Sequence, residues 1–307
     1  MNRRKFILNS SFMVSAGLVS RARAQTPPAA SAAPNVTEFR ALRRDVGLFT
    51  GRGGTIGWLA NKDGLLVVDT QFPDTAAICL AGLPGRGPRD LDLVINTHHH
   101  ADHTSGNPVF KAAAKSIVAQ ANVPKLQFAA AEKNNTLTQQ VYADTTFPSV
   151  WRRDLGSETI TARYHGNAHT SGDITVLFEK ANVVHLGDLA FNRLYPVVDR
   201  PAGASFRHWI VVLEEIVKTY PADAIYICGH GNPKFGVTAK RDELLIFRDY
   251  ISAMLAYTEK AIAAGKSRAD IAALDNLPGF PDFHLPLPNR LGGNLSAAFD
   301  ELTEKKG

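Results

Sequence analysis

Apolar residues follow two patterns along the chain, short continuous runs and longer stretches with helical spacing. Short runs bounded by turn residues predict strands at residues 55–60, 65–69, 92–96, 116–119, 160–164, 173–178, 183–186 and 224–228. Helical spacing predicts helices at residues 74–81, 109–114, 122–134, 205–218, 240–264 and 294–305. Strands followed by a helix, in two successive sets, are typical of an α/β fold in which two mixed sheets carry helices on their outer sides.

The N-terminus has the composition of an export signal. A basic start, R-R-K-F-I at residues 3–7, precedes a weakly apolar stretch and an A-R-A sequence at residues 22–24. This order predicts a cleaved signal peptide over residues 1–24, too short and too serine-rich to be a stable membrane anchor. The paired arginines resemble the twin-arginine motif, which predicts a bacterial periplasmic or secreted protein and the twin-arginine export machinery as a partner. A Sec-type signal or an uncleaved amphipathic tail is the alternative.

Composition divides the rest of the chain into three parts. Proline, alanine and serine predict a flexible linker over residues 25–37. Strands and helices predict a folded domain over residues 38–240, and residues 241–307 form a predicted helical extension interrupted by a proline-rich stretch. The last helix is expected to pack on the domain or on a partner, and the sequence does not set the oligomeric state.

Net charge argues against a polyanionic partner. The whole chain has 34 basic and 29 acidic residues, and removal of residues 1–24 takes away five basic residues and no acidic ones. The mature protein would then carry 29 residues of each sign. Without a net basic charge, it is not expected to bind nucleic acid.

The chain contains two cysteines, Cys79 in a predicted helix and Cys228 near the end of a predicted strand. We expect two buried thiols. A disulfide is the alternative that an oxidising compartment would permit.

Four potential metal ligands follow the predicted strand at residues 92–96. His98, His100, Asp102 and His103 form the pattern H-x-H-x-D-H. In extended backbone His98 and His100 point the same way and can bind one ion, whereas Asp102 and His103 follow a turn and can reach a second. A single histidine is more often structural, but this density of ligand types predicts a metal site.

Three further residues extend the pattern. His169 in H-G-N-A-H-T-S-G-D, Asp188 in H-L-G-D and His230 in I-C-G-H-G lie beside glycine near the C-terminal ends of predicted strands. An α/β fold collects its functional residues at that edge. We therefore expect these side chains to join the cluster at residues 98–103.

The order H-x-H-x-D-H, His, Asp, His resembles the metallo-β-lactamase superfamily over about residues 38–240. The resemblance implies a four-layer αβ/βα sandwich, here followed by the C-terminal helical extension. It implies one metal held by His98, His100 and His169, a second held by Asp102, His103 and His230, and Asp188 as the bridge. Zinc, two ions per chain, is the expected cofactor, although iron and manganese suit the same ligands.

This ligand set predicts a di-zinc hydrolase. A metal-bridging hydroxide would open an ester, thioester, lactone or β-lactam carbonyl of a small-molecule substrate. Asp188 makes the chain look more like the glyoxalase II, lactonase and arylsulfatase-like branches than the true β-lactamases, which lack that aspartate. Asp102 is the candidate catalytic residue, because a carboxylate beside the water can accept its proton. The alternative is a non-hydrolytic, iron-dependent or accessory metal protein of a periplasmic redox or sulfur pathway.

The loop after Asp188 is a candidate substrate-binding segment. Asn192, Arg193 and Tyr195 could supply an oxyanion donor or a carboxylate clamp, and a purely structural loop is the alternative. The glycine-rich stretch at residues 50–54 has the composition of a mobile hairpin tip, and the resemblance implies that this hairpin overhangs the metals. A linker without function is the alternative.

The remaining histidines have weaker ligand contexts. His99 should face away from the metals and contact solvent or a ligand's partner, and His165 is a candidate to hydrogen-bond a ligand. His185, His208 and His284 are expected to be structural.

Replacement of Arg3 and Arg4 by lysine tests the export prediction. We expect the variant precursor to accumulate in the cytoplasm, because a twin-arginine signal is recognised as an address and not as charge alone. Cell fractionation with immunodetection of precursor and mature forms measures this. Unchanged processing after Ala24 would indicate a Sec signal.

Overall fold

The computed structural model describes residues 37–283 and 289–304, within which the strands form two mixed sheets. The predicted signal peptide, all but the last residue of the predicted linker, and His284 lie outside the described residues. The first sheet has seven strands in chain order, β1 (Glu38–Arg43), β2 (Val46–Thr50), β3 (Ile56–Ala60), β4 (Leu65–Val68), β5 (Leu93–Asn96), β6 (Ile117–Gln120) and β7 (Thr145–Phe147). Pairing is antiparallel from β1 to β4 and parallel from β4 to β7.

The second sheet has six strands in reverse chain order. They are β8 (Val150–Leu155), β9 (Glu158–Tyr164), β10 (Ile174–Phe178), β11 (Val183–Asn192), β12 (Ile225–Gly231) and β13 (Thr238–Ala239). Only β11 and β12 are parallel, with the helical crossover between them. Their C-terminal ends therefore lie side by side, as those of β4 and β5 do in the first sheet.

The helices cover the outer faces of the sheets. They are α1 (Pro73–Gly82), α2 (Ala101–Thr104), α3 (Asn107–Lys111), α4 (Val123–Lys133), α5 (Phe206–Thr219), α6 (Arg241–Ala263), α7 (Arg268–Ala272) and α8 (Arg290–Thr303). Short 3-10 segments occur at Leu137–Gln139 and Arg200–Ala202. None of the helices in the described part of the chain is long and apolar enough to span a membrane.

Successive side chains of a strand point to opposite faces of the sheet, and the apolar ones form three clusters. In β4, Leu66 and Val68 face the core between the sheets, whereas Leu65 and Val67 pack with α1 and α3. A third cluster joins the outer face of β11 and β12 to α5, α6 and α8. The layers are thus helices, sheet, sheet and helices, which confirms the predicted αβ/βα sandwich with C-terminal helices.

Most predicted elements have the right type and bounds within a few residues. The missed elements are mainly edge strands and short helices, namely β1, β2, β7, β8, β13, α2 and α7. Strand β8 is mostly exposed, so it has no continuous apolar run to reveal it. The helix predicted at residues 109–114 instead spans Asn107–Lys111, because Pro108 in the first turn suits a helix start.

Both cysteines are buried and unpaired, as predicted. Burial raises the pKa of both thiols well above the ordinary value. They are therefore packing residues of α1 and β12, and no disulfide links them.

Candidate metal centre

The structure brings all seven predicted ligand residues together where strands of both sheets end. His98 and His100 follow β5, Asp102 and His103 lie on α2, and His169 lies in the loop between β9 and β10. Asp188 and His230 are on the adjacent strands β11 and β12. Their donor atoms form two groups that could each hold a metal ion, His98, His100, His169 and Asp188 in one, Asp102, His103 and His230 in the other.

Asp188 lies between the two groups and presents one carboxylate oxygen to each. Its Oδ2 is 3.4 Å from His169 Nε2 and 3.8 Å from His98 Nε2. Its Oδ1 is 3.1 Å from His103 Nε2 and 3.5 Å from His230 Nε2. This is the arrangement that a bridging carboxylate requires.

The first group is almost completely buried. His169 Nε2 lies 2.9 Å from His100 Nδ1, and His98 Nε2 has no hydrogen-bond partner among the described residues. Burial lowers the pKa of His98 well below its ordinary value and that of His169 to about 3. These rings therefore stay neutral and can present lone pairs to a cation.

The second group opens to solvent through Asp102 and His230. His230 Nε2 is 3.1 Å from Asp102 Oδ2 and 3.4 Å from His103 Nε2. Burial alone would lower the pKa of His103, but the carboxylates of Asp188, Asp102 and Asp69 outweigh it and raise the pKa well above the ordinary value. The group thus attracts positive charge, as a proton or as a metal ion.

Hydrogen bonds from outside the cluster set the orientation of the rings. Asp69 Oδ2 accepts from His103 Nδ1 at 2.7 Å and from Thr97 Oγ1 at 2.7 Å, and Asp69 Oδ1 accepts from the Thr97 amide at 2.7 Å. With its hydroxyl proton given to Asp69, Thr97 Oγ1 accepts from His98 Nδ1 at 3.1 Å. His98 and His103 are thereby left with Nε2 facing the cluster.

Two further rings of the cluster have acceptors on the segment after β11. His169 Nδ1 donates to the Val197 carbonyl at 2.9 Å, and His100 Nε2 donates to Asp199 Oδ2 at 2.9 Å. His99 Nε2 lies 3.5 Å from the same oxygen. The hydrogen bonds from His100 and His99 hold the pKa of Asp199 far below its usual range, so this carboxylate stays ionised. His99 therefore contacts Asp199, the same carboxylate that accepts the hydrogen bond from the ligand candidate His100.

Irregular backbone in β11 places Asp188 at the bridge position. The pairing register of β11 with β12 shifts just before Gly187 and again between Gly187 and Phe191, the stretch that contains Asp188. Shifts of this kind are the signature of bulges that re-aim a side chain. On β12, a Cβ at Gly229 would lie 2.0 Å from Asp188 Oδ1. Glycine is required there because any other residue would occupy the space of the carboxylate.

The donor set fits divalent metal ions. Imidazole nitrogens and carboxylate oxygens are the ligands that zinc, iron and manganese share. His98 Nε2 is buried without a hydrogen-bond partner in the described residues, and the buried Asp188 Oδ1 has only the His103 and His230 rings beside it. Buried polar atoms of this kind are expensive unless something binds them, and a cation in each group would do so.

Asn192, Arg193 and Tyr195 have packing and hydrogen-bond contacts away from the cluster. Asn192 Nδ2 donates to the Gly236 carbonyl at 2.9 Å, and the Arg193 guanidinium lies 5.2 Å from the centre of the Phe235 ring. Tyr195 is buried against Tyr250, and the centres of the two rings are 5.8 Å apart. None of the three lines the cavity beside the metal centre.

That cavity has a volume of about 670 Å³ and opens to solvent. Its wall includes Asp102, Asp188 and His230, together with apolar side chains of α4 and of the segment after β11. The hairpin between β2 and β3 is fixed beside the cluster, because the Gly54 amide donates to the Asp102 carbonyl at 3.0 Å.

Three histidines outside the cluster have structural partners. His165 bonds Glu215 at 2.9 Å and Thr175 at 3.0 Å, so both of its nitrogens are occupied away from the ligands. His185 is buried and contacts the Thr55 carbonyl, and His208 contacts the Asn167 carbonyl.

Sequence reasoning missed Asp69 and Asp199. Asp69 directly follows strand β4, the same signal that identified Asp188, and could have been found. Asp199 lies in an irregular segment that carries no such signal.

Comparison with known proteins agrees with this geometry. Residues 49–230 match the family model described as metallo-beta-lactamase superfamily. A probable metallo-hydrolase of Methanocaldococcus jannaschii is 46% identical over 48 residues, which is 15% of this chain and 24% of that protein. The match therefore spans about a quarter of this relative's length.

Solved structures with the same fold have low sequence identity to this chain. The stereoselective inverting sec-alkylsulfatase Pisa1 from Pseudomonas sp. aligns with a TM-score of 0.68 and 13% identity, over 87% of this chain and 50% of that one. A metallo-beta-lactamase from Pontibacter korlensis aligns with a TM-score of 0.58 and 15% identity, over 71% of this chain and 99% of that one. The chain thus covers half of the alkylsulfatase and nearly all of the lactamase.

Replacement of Asp69 by asparagine should weaken metal binding at the group that contains His103. Asparagine has one acceptor oxygen in place of the two of aspartate. If that oxygen takes the position of Oδ1, the hydrogen bonds from the His103 ring and the Thr97 hydroxyl are lost, and if it takes the position of Oδ2, the hydrogen bond from the Thr97 amide is lost. Loss of such a partner reduces metal affinity about tenfold to hundredfold. Competition with a chromogenic chelator measures this, with the exposed Asp45→Asn as the matched control. Equal affinities in both variants would show that Asp69 does not orient a ligand.

Proposed function

This chain belongs to the metallo-beta-lactamase superfamily, whose family model covers more than half of it, and from that premise we propose that it is a metal-dependent hydrolase with two metal sites. The observation that supports this most directly is Asp188, with one oxygen facing each group of ligand candidates. His98, His100 and His169 would hold one ion, Asp102, His103 and His230 would hold the other, and Asp188 would serve as a ligand to both. Zinc is the proposed metal at both sites.

When bound, the two cations would supply a water nucleophile of lowered pKa and stabilise the negative charge that develops on the scissile group. The protein's own residues fix the geometry for this. Asp69, Thr97, Asp199 and the Val197 carbonyl hold the imidazole rings, so that little reorganisation is needed during the reaction.

Asp102 is the proposed proton acceptor. Its carboxylate lines the cavity and is the most exposed acidic group of the two ligand sets. Burial would raise its pKa, but His103 and the hydrogen bond from His230 outweigh this and lower the pKa to about 2. Asp102 is therefore ionised at neutral pH, and it would pass an accepted proton on to the leaving group rather than retain it.

The substrate is proposed to be a small molecule. A cavity of about 670 Å³ is of the size that small-molecule sites have. Candidate scissile groups are an ester, thioester, lactone or β-lactam. A sulfate ester joins these because an alkylsulfatase shares the fold. The predicted export signal would place the reaction in the bacterial periplasm or outside the cell.

Removal of the bridge tests the metal centre and the activity together. Asp188→Ala should lower metal content from two ions to one or fewer per chain and reduce hydrolysis about a hundredfold or more, because each ion loses a ligand. Metal analysis by mass spectrometry and a panel of the five substrate classes measure this, with Asp45→Ala as the control. Full metal and full activity in Asp188→Ala would refute the site. A wild-type protein that binds iron and hydrolyses no substrate would favour the redox alternative.

Replacement of Asp102 by asparagine tests its role in proton transfer. Asparagine keeps the size and one oxygen but cannot accept the proton, so kcat should fall about a hundredfold or more while KM changes little. Steady-state kinetics measure this on the substrate that the panel identifies, with metal content determined in the same sample. A variant with both metals and near-normal kcat would leave Asp102 at most a replaceable ligand.

A further inference from the structure

The cavity beside the metal centre includes two cations as well as the ligand candidates. Lys133 ends α4, and Arg290 begins α8. Arg290 lies outside residues 49–230, the part of the chain that matches the family model. The C-terminal extension therefore adds a positive charge to a site that the superfamily domain otherwise builds.

Neither cation has a partner of opposite charge among the described residues. Within residues 37–283 and 289–304, neither Lys133 nor Arg290 forms an ion pair or a side-chain hydrogen bond. The carboxylates that line the cavity, Asp102, Asp188 and Asp199, contact imidazoles of the cluster and not these two cations. Lys133 and Arg290 are thus charged groups of the cavity wall without a partner in the described part of the chain, and the anionic group of a ligand would pair with them.

The remaining wall of the cavity is mainly apolar. Leu126, Ala129 and Ala130 contribute from α4, and Leu194 and Val197 contribute from the segment after β11. Apolar side chains with a few polar groups are typical of sites that bury the carbon skeleton of a small ligand. A hydrocarbon segment between two polar ends would match this wall.

Packing and hydrogen bonds fix the position of the helix that carries Arg290. Leu291 and Leu295 of α8 are buried in the outer apolar cluster, the one that joins the outer face of β11 and β12 to the helices. Glu301, at the other end of α8, accepts hydrogen bonds from the Phe206 amide at 2.9 Å and from Ser205 Oγ at 2.9 Å. Because α8 is held to the start of α5 in this way, the first turn that carries Arg290 has a defined place at the cavity.

From this arrangement we infer that Arg290, assisted by Lys133, binds the anionic end of an amphiphilic substrate whose hydrolysable group lies at the metal centre. The substrate class is a carboxylic acid with a short apolar chain and an ester, thioester or lactone at its other end. Arg290 acts in specificity and binding and does not contact the reacting atoms. The inference rests on the proposed function for the position of the hydrolysable group, but anion binding can be measured without turnover.

Kinetics on a matched pair of esters test the specificity. The 4-nitrophenyl monoester of octanedioic acid carries a free carboxylate, and its methyl ester is the neutral analogue. Arg290→Gln should reduce kcat/KM for the anionic ester about tenfold or more, mainly through KM, and leave the neutral ester within about twofold. Arg207→Gln, which removes an exposed arginine of α5, is the matched control. A loss that is equal for both esters, or no loss, would overturn the inference.

A binding measurement separates the anion site from the hydrolase proposal. Calorimetry on the metal-loaded full chain measures the binding of octanoate and of its neutral analogue octanamide. Arg290→Gln should weaken the binding of octanoate about tenfold and leave the binding of octanamide unchanged. Octanoate binding that is the same in wild type and variant would place the anion elsewhere and overturn the inference, whatever the kinetics show. If no ester is hydrolysed but octanoate binding still depends on Arg290, the hydrolase proposal fails and the anion site stands.

Discussion

The site depends on one buried carboxylate surrounded by imidazoles. Asp188 is 2% exposed, and a charge at that depth is tolerated only if oppositely charged or hydrogen-bonding groups surround it. Burial would raise its pKa, but His230, His103 and His169 outweigh this and lower it. The bulges in β11 and the absence of a side chain at Gly229 leave the space that the Asp188 carboxylate occupies.

Packing of the two sheets is what creates the cluster. The first sheet supplies the residues after β5, and the second supplies Asp188 and His230 from β11 and β12. Neither sheet holds a complete group of ligand candidates, so the apolar core between them also sets the distances across the site. Asp69 and Thr97 strengthen this link, because they orient rings of the first sheet toward a carboxylate of the second. A change in the core can therefore affect metal binding without touching a ligand.

The C-terminal helices contribute both to an apolar cluster and to the wall of the cavity. They complete the outer apolar cluster over the second sheet, and α8 brings a charged residue to the wall of the cavity. The superfamily domain would thus provide the chemistry, and the extension would select the ligand. This division fits a general feature of enzymes, in which the fold positions the reacting groups and peripheral segments set specificity.

Local patterns in the sequence determined the fold class, most elements and the residues that the structure brings together as the candidate metal centre. Buried strands appear as continuous apolar runs, and ligand candidates follow them at strand ends, so both signals are local. Contacts between segments far apart in the chain were decided only by the tertiary structure. His99 and His100 share Asp199, which lies 99 residues after His100 in an irregular segment. Arg290 reaches the cavity only because α8 packs against α5. Conversely, Asn192 and Arg193 lie close to Asp188 in sequence, and their neighbours Phe191 and Leu194 line the cavity. The side chains of Asn192 and Arg193 instead contact the segment at residues 235–236, because neighbouring side chains along the chain point in different directions.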